Sequence, residues 1–224
     1  MTGRLRKYDG GSRTEKLQAA VTGAAGSSSV APFVLYLHGR HASPDEPPGD
    51  LVGAVPWPIP LVCPVVDGAF LRRRFDVQMR EVDAWLECAE LAIGHSYGAW
   101  LLLCAALGRI ESGRAVPPLF LMSAVLGASS NRGGEGGSIP PRARRVRRAL
   151  GLEPGDSAMF PRGAIELVHG DNDDQCPVDT VRALGATQIV SIVPGGHRLT
   201  EPGARAGLHD ALQRWNSALL REGF

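Results

Sequence analysis

The chain has 224 residues, with 44% hydrophobic and 21% charged side chains and a formal net charge of +1 at pH 7. This length and balance are typical of a soluble globular protein with one sizeable core, and they exclude two ordinary domains. The near-neutral charge gives no reason to expect nucleic acid or an anionic membrane as a partner. No apolar run approaches the ~18 residues that a membrane span requires.

The first 31 residues differ in composition from the rest. Residues 1–31 are rich in Gly, Ser and Ala, which indicates an edge strand or a flexible segment. Arg4, Arg6 and Lys7 are followed by no apolar stretch, so we predict no secretory signal. The cysteines are scattered without metal-ligand spacing, which favours reduced thiols and a cytoplasmic location; they are Cys63, Cys88, Cys104 and Cys176.

From residue 32 onward, strand-like and helix-like segments alternate. Residues 33–37 are a continuous apolar run, as expected for a parallel strand covered on both faces. Residues 61–66 predict the next strand, which we expect to end near Pro64. Between them, residues 44–60 contain six prolines, which predicts mostly loop. An apolar stripe with spacings of 4, 4, 3 and 4 then predicts one amphipathic helix; its members are Leu71, Phe75, Met79, Val82 and Leu86.

Gly94-His95-Ser96-Tyr97-Gly98 fits the pattern G-x-S-x-G, a sharp turn that lifts a serine hydroxyl above the edge of a sheet. The apolar run 91–93 before it predicts a buried strand, and residues 99–107 after it predict a buried helix. Glycine suits both ends of the pattern because the tight turn leaves no room for a Cβ atom. Ser96 is therefore a candidate nucleophile, and we expect His95 to pack or hydrogen-bond within the turn.

The remaining segments complete an α/β pattern. Strands alternating with helices predict a doubly wound, mostly parallel sheet flanked by helices, in a single domain over residues 32–224. The later predicted strands are 119–122, 164–168 and 188–193, and the later predicted helices begin at Pro177 and near Leu208.

A serine hydroxyl is a poor nucleophile at neutral pH and needs a base, which in turn needs an orienting carboxylate. In a parallel sheet such groups gather at the carboxyl ends of strands. The strand at 164–168 is followed by Asp171, Asp173 and Asp174, and each of them is a candidate for the carboxylate. The last strand is followed by Gly195-Gly196-His197, which makes His197 the candidate base.

The order serine, aspartate, histidine, together with three local patterns, resembles the α/β-hydrolase superfamily. Gly170, Asp173 and Pro177 fit the spacing of the H-G-x-x-D-x-x-V-P pattern that members often carry around the acid, with Cys176 where valine is usual. Residues 195–197 match their G-G-H element, and residues 37–39 resemble their early H-G element. The resemblance covers about residues 33–221 and implies the α/β-hydrolase fold.

The resemblance also implies roles for individual residues. Ser96 is the nucleophile, His197 the general base and acid, and Asp173 the carboxylate that orients the base. The oxyanion hole is implied to use the backbone N–H groups of Tyr97 and Arg40. No cofactor is implied.

The surroundings of the pocket are harder to predict. His41 is a candidate substrate-binding residue at the pocket mouth, with solvation as the alternative, and Trp57 a candidate for the acyl site, with packing as the alternative. Residues 124–162 occupy the place of the family's lid and predict a small cap-like insertion, hence a compact member with little or no lid. Within it, Arg142–Arg148 holds five arginines in seven residues. These arginines either select an anionic acyl donor or form a solvated helix face.

We therefore expect a serine hydrolase that cleaves a small-molecule carboxylic ester or thioester through an acyl-enzyme. An acyltransferase or thioesterase acting on carrier-bound acyl groups is the alternative within enzymes. A non-catalytic binding protein with the same fold is the alternative from another class. The chain contains no GxxxxGK[ST] phosphate loop, no HExxH and no tight His/Cys cluster, so we expect no metal.

Overall fold

The computed structural model describes residues 31–40, 42–64, 66–126, 141–152, 155, 157–176 and 178–221. The chain from Pro32 to Phe224 clusters as one compact unit. The edge strand or flexible segment expected within residues 1–31 lies, apart from Ala31, outside the described residues. Pro177 also lies outside them.

The core of the fold is a parallel sheet. Its strands are β1 (Phe33–Leu37), β2 (Leu61–Val62), β3 (Ala89–His95), β4 (Leu119–Met122), β5 (Ile165–Gly170) and β6 (Ile189–Val193). Among the described residues these six strands form one sheet in the order β2-β1-β3-β4-β5-β6, and every neighbouring pair is parallel. The predicted doubly wound, mostly parallel α/β sheet is therefore confirmed, and β3, which leads into Ser96, lies inside the sheet between β1 and β4.

Helices cover both faces of this sheet. They are α1 (Gly49–Ala54), α2 (Gly68–Leu71), α3 (Phe75–Leu86), α4 (Tyr97–Glu111), α5 (Pro141–Ala149), α6 (Val178–Arg182), a 3₁₀ turn (Ala183–Ala186) and α7 (Pro202–Arg221). Val34 and Tyr36 of β1 share a buried cluster with Val52 of α1 and Leu208 of α7. The alternate positions of β1 are equally buried, because α3 and α4 pack together and onto β3.

A short helix lies within the proline-rich stretch 44–60. The stretch is mostly loop, as predicted, but α1 begins directly after Pro48 and buries Val52. Prolines are tolerated here because the first N–H groups of a helix have no intrahelical partner. The strand predicted over 61–66, with its end near Pro64, forms and ends at Val62, two residues before that proline, which has no N–H to donate to a ladder.

The apolar stripe expected to form one helix spans two. The helix α2 is capped by the Asp67 side chain, which accepts a hydrogen bond from the Phe70 N–H at 2.8 Å. Past the break, the buried Gln78 side chain donates to the carbonyls of Leu71 at 3.4 Å and Arg73 at 3.0 Å. The stripe keeps its spacing across the break, so periodicity alone does not reveal it.

A buried arginine joins α4 to the end of α3. Arg109 is only 4% exposed, and its guanidinium donates to Glu87 at 2.7 Å, to the Asp83 carboxylate at 3.2 Å and to the Ala115 carbonyl at 2.6 Å. Such a desolvated cation is held by its hydrogen bonds, so removing it leaves the Glu87 carboxylate and the Ala115 carbonyl without this donor, while Asp83 keeps its ion pair with Arg114. In the described part of the chain, no helix is both long and apolar enough to cross a membrane.

Candidate active site

The turn at Ser96 is strained, as a nucleophile elbow requires. Ser96 lies between the last residue of β3 and the first of α4, with φ 52° and ψ −115°, a region that non-glycine residues rarely adopt. A Cβ atom on Gly98 would lie 2.1 Å from the Leu37 carbonyl oxygen, and one on Gly94 would lie 2.6 Å from the Ala99 Cα. The Ser96 N–H donates to the Met122 carbonyl at 2.9 Å, which fixes the turn at the carboxyl edge of the sheet.

The structure brings Ser96, His197 and Asp173 together. His197 follows β6, and its Nε2 lies 2.8 Å from Ser96 Oγ. Its other ring nitrogen, Nδ1, lies 2.8 Å from Oδ2 of Asp173, which follows β5. One imidazole thus hydrogen-bonds a hydroxyl on one side and a carboxylate on the other, which is the connectivity that serine activation needs.

Of the three aspartates after β5, only Asp173 reaches His197. Its other oxygen, Oδ1, accepts hydrogen bonds from the backbone N–H groups of Gln175 at 2.8 Å and Cys176 at 3.0 Å. Asp171 instead accepts from the Gly195 N–H at 3.0 Å, and Asp174 is exposed. Asp171 therefore holds the loop that carries the histidine, whereas Asp173 contacts the imidazole itself.

The environment keeps the Asp173 carboxyl ionised. Burial raises its pKa, because the side chain is fully enclosed. The hydrogen bond and charge of His197 and the N–H groups of Gln175 and Cys176 outweigh this, so that the pKa of Asp173 lies below its ordinary value. At neutral pH the group is an acceptor only, which holds the proton of His197 on Nδ1 and leaves Nε2 to accept from Ser96.

The loop after β1 runs close beside the elbow. A Cβ atom on Gly39 would lie 3.2 Å from the Ser96 Cβ, so the backbone that continues to Arg40 passes next to the serine. Tyr97 is the first residue of α4, and the N–H groups of a first helical turn have no intrahelical partner. The two predicted oxyanion donors, Arg40 and Tyr97, thus lie on the two segments that adjoin Ser96.

The side chains of these two residues also meet. The Arg40 guanidinium lies over the Tyr97 ring, 4.9 Å from its centroid. The Tyr97 hydroxyl donates to Gln78 Oε1 at 3.0 Å. Sequence reasoning missed Gln78, because a search for an apolar stripe gives no weight to a buried amide. Gln78 links the site to the break between α2 and α3.

The remaining histidine and tryptophan candidates near the site have different outcomes. His38 has a structural role, since its ring bonds the Gly39 carbonyl at 2.9 Å and accepts from the Val66 N–H at 3.1 Å. Trp57 packs on the core cluster and donates from its indole to the Val52 carbonyl at 3.0 Å, which is the packing alternative, and its role in the acyl site stays a prediction. His41 lies outside the described residues.

The arginine-rich segment forms the expected helix, α5. Its apolar side faces inward, with Val146 and Leu150 each 1% exposed. Arg145 pairs with Glu111 at the end of α4. These contacts fit a solvated arginine face on a packed helix, and anion binding by this segment stays a prediction. Residues 127–140 of the expected cap lie outside the described residues.

Comparison with known proteins identifies the fold. No protein-family model matches the chain, and no curated protein matches it in sequence. Among solved structures, mouse alpha/beta hydrolase domain-containing protein 10 is 16% identical with a TM-score of 0.53, over 86% of this chain and 92% of the mouse chain. Carboxyl esterase 2 of the fungus Tuber melanosporum is 18% identical with a TM-score of 0.56, over 86% and 80% of the two chains.

A third similar structure is RedJ, a thioesterase from the prodiginine biosynthetic pathway of Streptomyces coelicolor. It is 16% identical with a TM-score of 0.50, over 85% of this chain and 95% of RedJ. At such identities the likeness establishes architecture. The chain has the α/β-hydrolase fold, as the sequence predicts.

Proposed function

We propose that this chain is a serine hydrolase that cleaves a carboxylic ester or thioester through an acyl-enzyme intermediate. The observation that carries the proposal is the unbroken line of two 2.8 Å hydrogen bonds from Ser96 Oγ through the His197 ring to Asp173. The strained elbow adds support, because backbone strain at a single polar residue concentrates at functional sites.

The geometry fits the first half of the reaction. His197 Nε2 accepts the hydroxyl proton as Ser96 Oγ attacks the carbonyl carbon, and Asp173 stabilises the imidazolium that forms. The negative charge that develops on the carbonyl oxygen would be met by the N–H groups of Tyr97 and Arg40, each worth roughly 3 kcal/mol of transition-state stabilisation. His197 then returns the proton to the departing alcohol or thiol, which leaves the acyl group on Ser96.

The second half reuses the same groups. His197 removes a proton from water, the resulting hydroxide attacks the acyl-enzyme, and Ser96 leaves with that proton as the carboxylic acid is released. If another nucleophile replaces water, the same acyl-enzyme gives acyl transfer. An acyltransferase or thioesterase that acts on carrier-bound acyl groups is the second candidate, and the structural likeness to the RedJ thioesterase supports it. The assembled trio favours either reaction over a non-catalytic binding protein.

Covalent labelling tests the proposal. Intact-mass spectrometry after treatment with a fluorophosphonate should show one adduct on the wild type and none on Ser96→Ala. Ser123→Ala is the matched control, since Ser123 is a second serine at positive φ but is fully buried. This control should label like the wild type. Absence of an adduct on the folded wild type would favour the non-catalytic binding protein over the serine hydrolase.

Turnover assays then separate the candidates. A series of p-nitrophenyl esters and acyl thioesters of increasing chain length gives the preferred acyl group and leaving group. Competition between water and an added alcohol under single turnover separates hydrolysis from acyl transfer. A small-molecule substrate and a cytoplasmic location remain predictions that rest on the sequence.

A further inference from the structure

One buried histidine next to the proposed triad has no role in the mechanism above. His95 is the last residue of β3, directly before Ser96, and is 4% exposed. Its Nε2 lies 3.2 Å from the backbone carbonyl oxygen of His197. The two rings are 5.6 Å apart between centroids, and His95 Nδ1 has no hydrogen-bond partner among the described residues.

The contact defines the protonation of His95. A carbonyl oxygen only accepts hydrogen bonds, so the proton of the neutral ring is on Nε2. The pKa of His95 is lowered to about 4, chiefly by burial and also by the nearby His197 and Arg198, although the His197 carbonyl and Asp173 act to raise it. The ring is therefore neutral at the pH where a serine hydrolase works, and it places no positive charge beside the base.

The contact joins two segments that the proposed reaction must hold together. His197 lies in the irregular loop between β6 and α7. Before His197, Gly195 donates to Asp171 at 3.0 Å and Gly196 donates to Glu201 at 3.1 Å. After it, the N–H of the buried Leu199 donates to the Gly196 carbonyl at 3.1 Å. The bond from His95 is the one, within the described part of the chain, that ties the His197 carbonyl itself to the strand carrying Ser96.

The His95 ring also packs against the loop after β1. A Cβ atom on Gly39 would lie 3.1 Å from His95 Nδ1, so the imidazole fills the space between this loop and the loop of the base. In the described residues, no group of three or more His, Cys, Asp or Glu side chains is arranged to hold a metal ion. The contacts of His95 therefore indicate that its neutral ring acts as a hydrogen-bond donor between two backbone segments.

We propose that His95 is a positioning residue for the base. The His95 Nε2–H donates to the His197 carbonyl and so fixes the His197 backbone relative to β3. His197 Nε2 therefore remains within hydrogen-bond distance of Ser96 Oγ as the serine passes between its free and acylated states. This inference rests on the proposed function. Misplacing a catalytic group by about 1 Å costs up to ~10²-fold in rate, so a bond at the His197 backbone itself bears directly on turnover.

Three substitutions separate positioning from packing. His95→Gln keeps an N–H donor near the Nε2 position, whereas His95→Asn carries its amide one methylene short and His95→Phe fills the volume without a donor. We expect the Phe and Asn variants to lose about 30- to 100-fold in kcat on p-nitrophenyl butyrate with KM within about threefold, and the Gln variant to recover at least tenfold of that loss. A purely structural role would move melting temperature and rate together and would show no rescue by Gln.

The outcomes are distinct from those of the proposed function. If the wild type labels with fluorophosphonate and the Phe and Asn variants label and turn over at the wild-type rate, the positioning role is refuted and the serine hydrolase stands. Equal loss in all three variants with equal loss of melting temperature would also refute it, in favour of packing. If the wild type neither labels nor turns over, the proposed function itself fails. Should the Phe variant not fold, the comparison of Gln with Asn decides.

Discussion

Replacing Asp173 with Asn is expected to leave the site intact in shape and to put the proton of His197 on the wrong nitrogen. Oδ1 of Asp173 accepts two backbone N–H bonds, from Gln175 and Cys176. In Asp173→Asn the amide oxygen must keep this position, because an NH₂ group there would face two donors. The NH₂ group is then directed at His197 Nδ1, where the carboxylate oxygen was at 2.8 Å.

The consequence follows from the donor inventory of imidazole. Facing an NH₂ group, Nδ1 must accept, so the proton of the neutral ring moves to Nε2, and Nε2 can no longer accept from Ser96. Loss of the correct tautomer in a serine triad costs about 10⁴-fold in kcat, or about 5 kcal/mol of transition-state stabilisation. Folding should suffer less, since the two backbone N–H bonds at Oδ1 are retained.

Asp171→Asn is the matched control. Asp171 accepts one bond from Gly195 through a single oxygen, and an amide oxygen can accept it equally. We expect this variant to retain activity within about threefold on p-nitrophenyl butyrate, because no tautomer depends on it. Steady-state kinetics and fluorophosphonate labelling rates measure both variants. Wild-type kinetics of Asp173→Asn, or an equal loss in both variants, would refute the assignment of Asp173.

Three further predictions concern stability. Because burial lowers the pKa of His95 from 6.5 to about 4, the stability that the neutral ring contributes should be fully present above about pH 6.5. This contribution to the free energy of unfolding should fall by about 3 kcal/mol as the pH drops toward 4. Urea titrations should show a flatter pH dependence in His95→Gln, and a pH-independent midpoint in the wild type would contradict this. Arg109→Met should lower the free energy of unfolding measured in urea by about 2 kcal/mol, a modest loss for a buried ion pair because the carboxylate partners of Arg109 are partly solvated. Arg114→Met should cost less than about 1 kcal/mol, because the Arg114 side chain is 44% exposed. Equal losses in the two variants would argue against the buried network. Gly98→Ala should abolish soluble expression or fluorophosphonate labelling, since the new Cβ atom would lie 2.1 Å from a carbonyl oxygen. Gly108→Ala on the same helix should raise the melting temperature slightly, because its Cβ atom would meet nothing within 4 Å. A Gly98→Ala variant that is as stable as Gly108→Ala and still labels would argue against tight packing at the elbow.

Local sequence patterns were sufficient to predict those elements whose conformation depends on residues close together in the chain. The run Phe33–Leu37 predicts β1 to the residue, and the pattern Gly94–Gly98 predicts the strained turn, because a buried parallel strand and a sharp strand-to-helix turn each impose their own residue types. The alternation of such segments is also what makes the parallel α/β sheet predictable. Where local signals compete, as in the proline-rich stretch, the sequence predicts the loop but not the short helix α1 inside it.

The tertiary structure decided which groups meet. His197 lies 101 residues from Ser96 and 24 from Asp173, and residue types alone leave Asp171, Asp173 and Asp174 as equivalent candidates. The strand order brings the loops after β5 and β6 beside the elbow of β3. The hydrogen bonds within the loop after β5 then direct Asp173 to His197 and Asp171 to Gly195. The same holds for His95, whose bond to the His197 carbonyl is invisible in the sequence. Contacts between distant segments depend on how buried faces pack, and no short pattern encodes that packing.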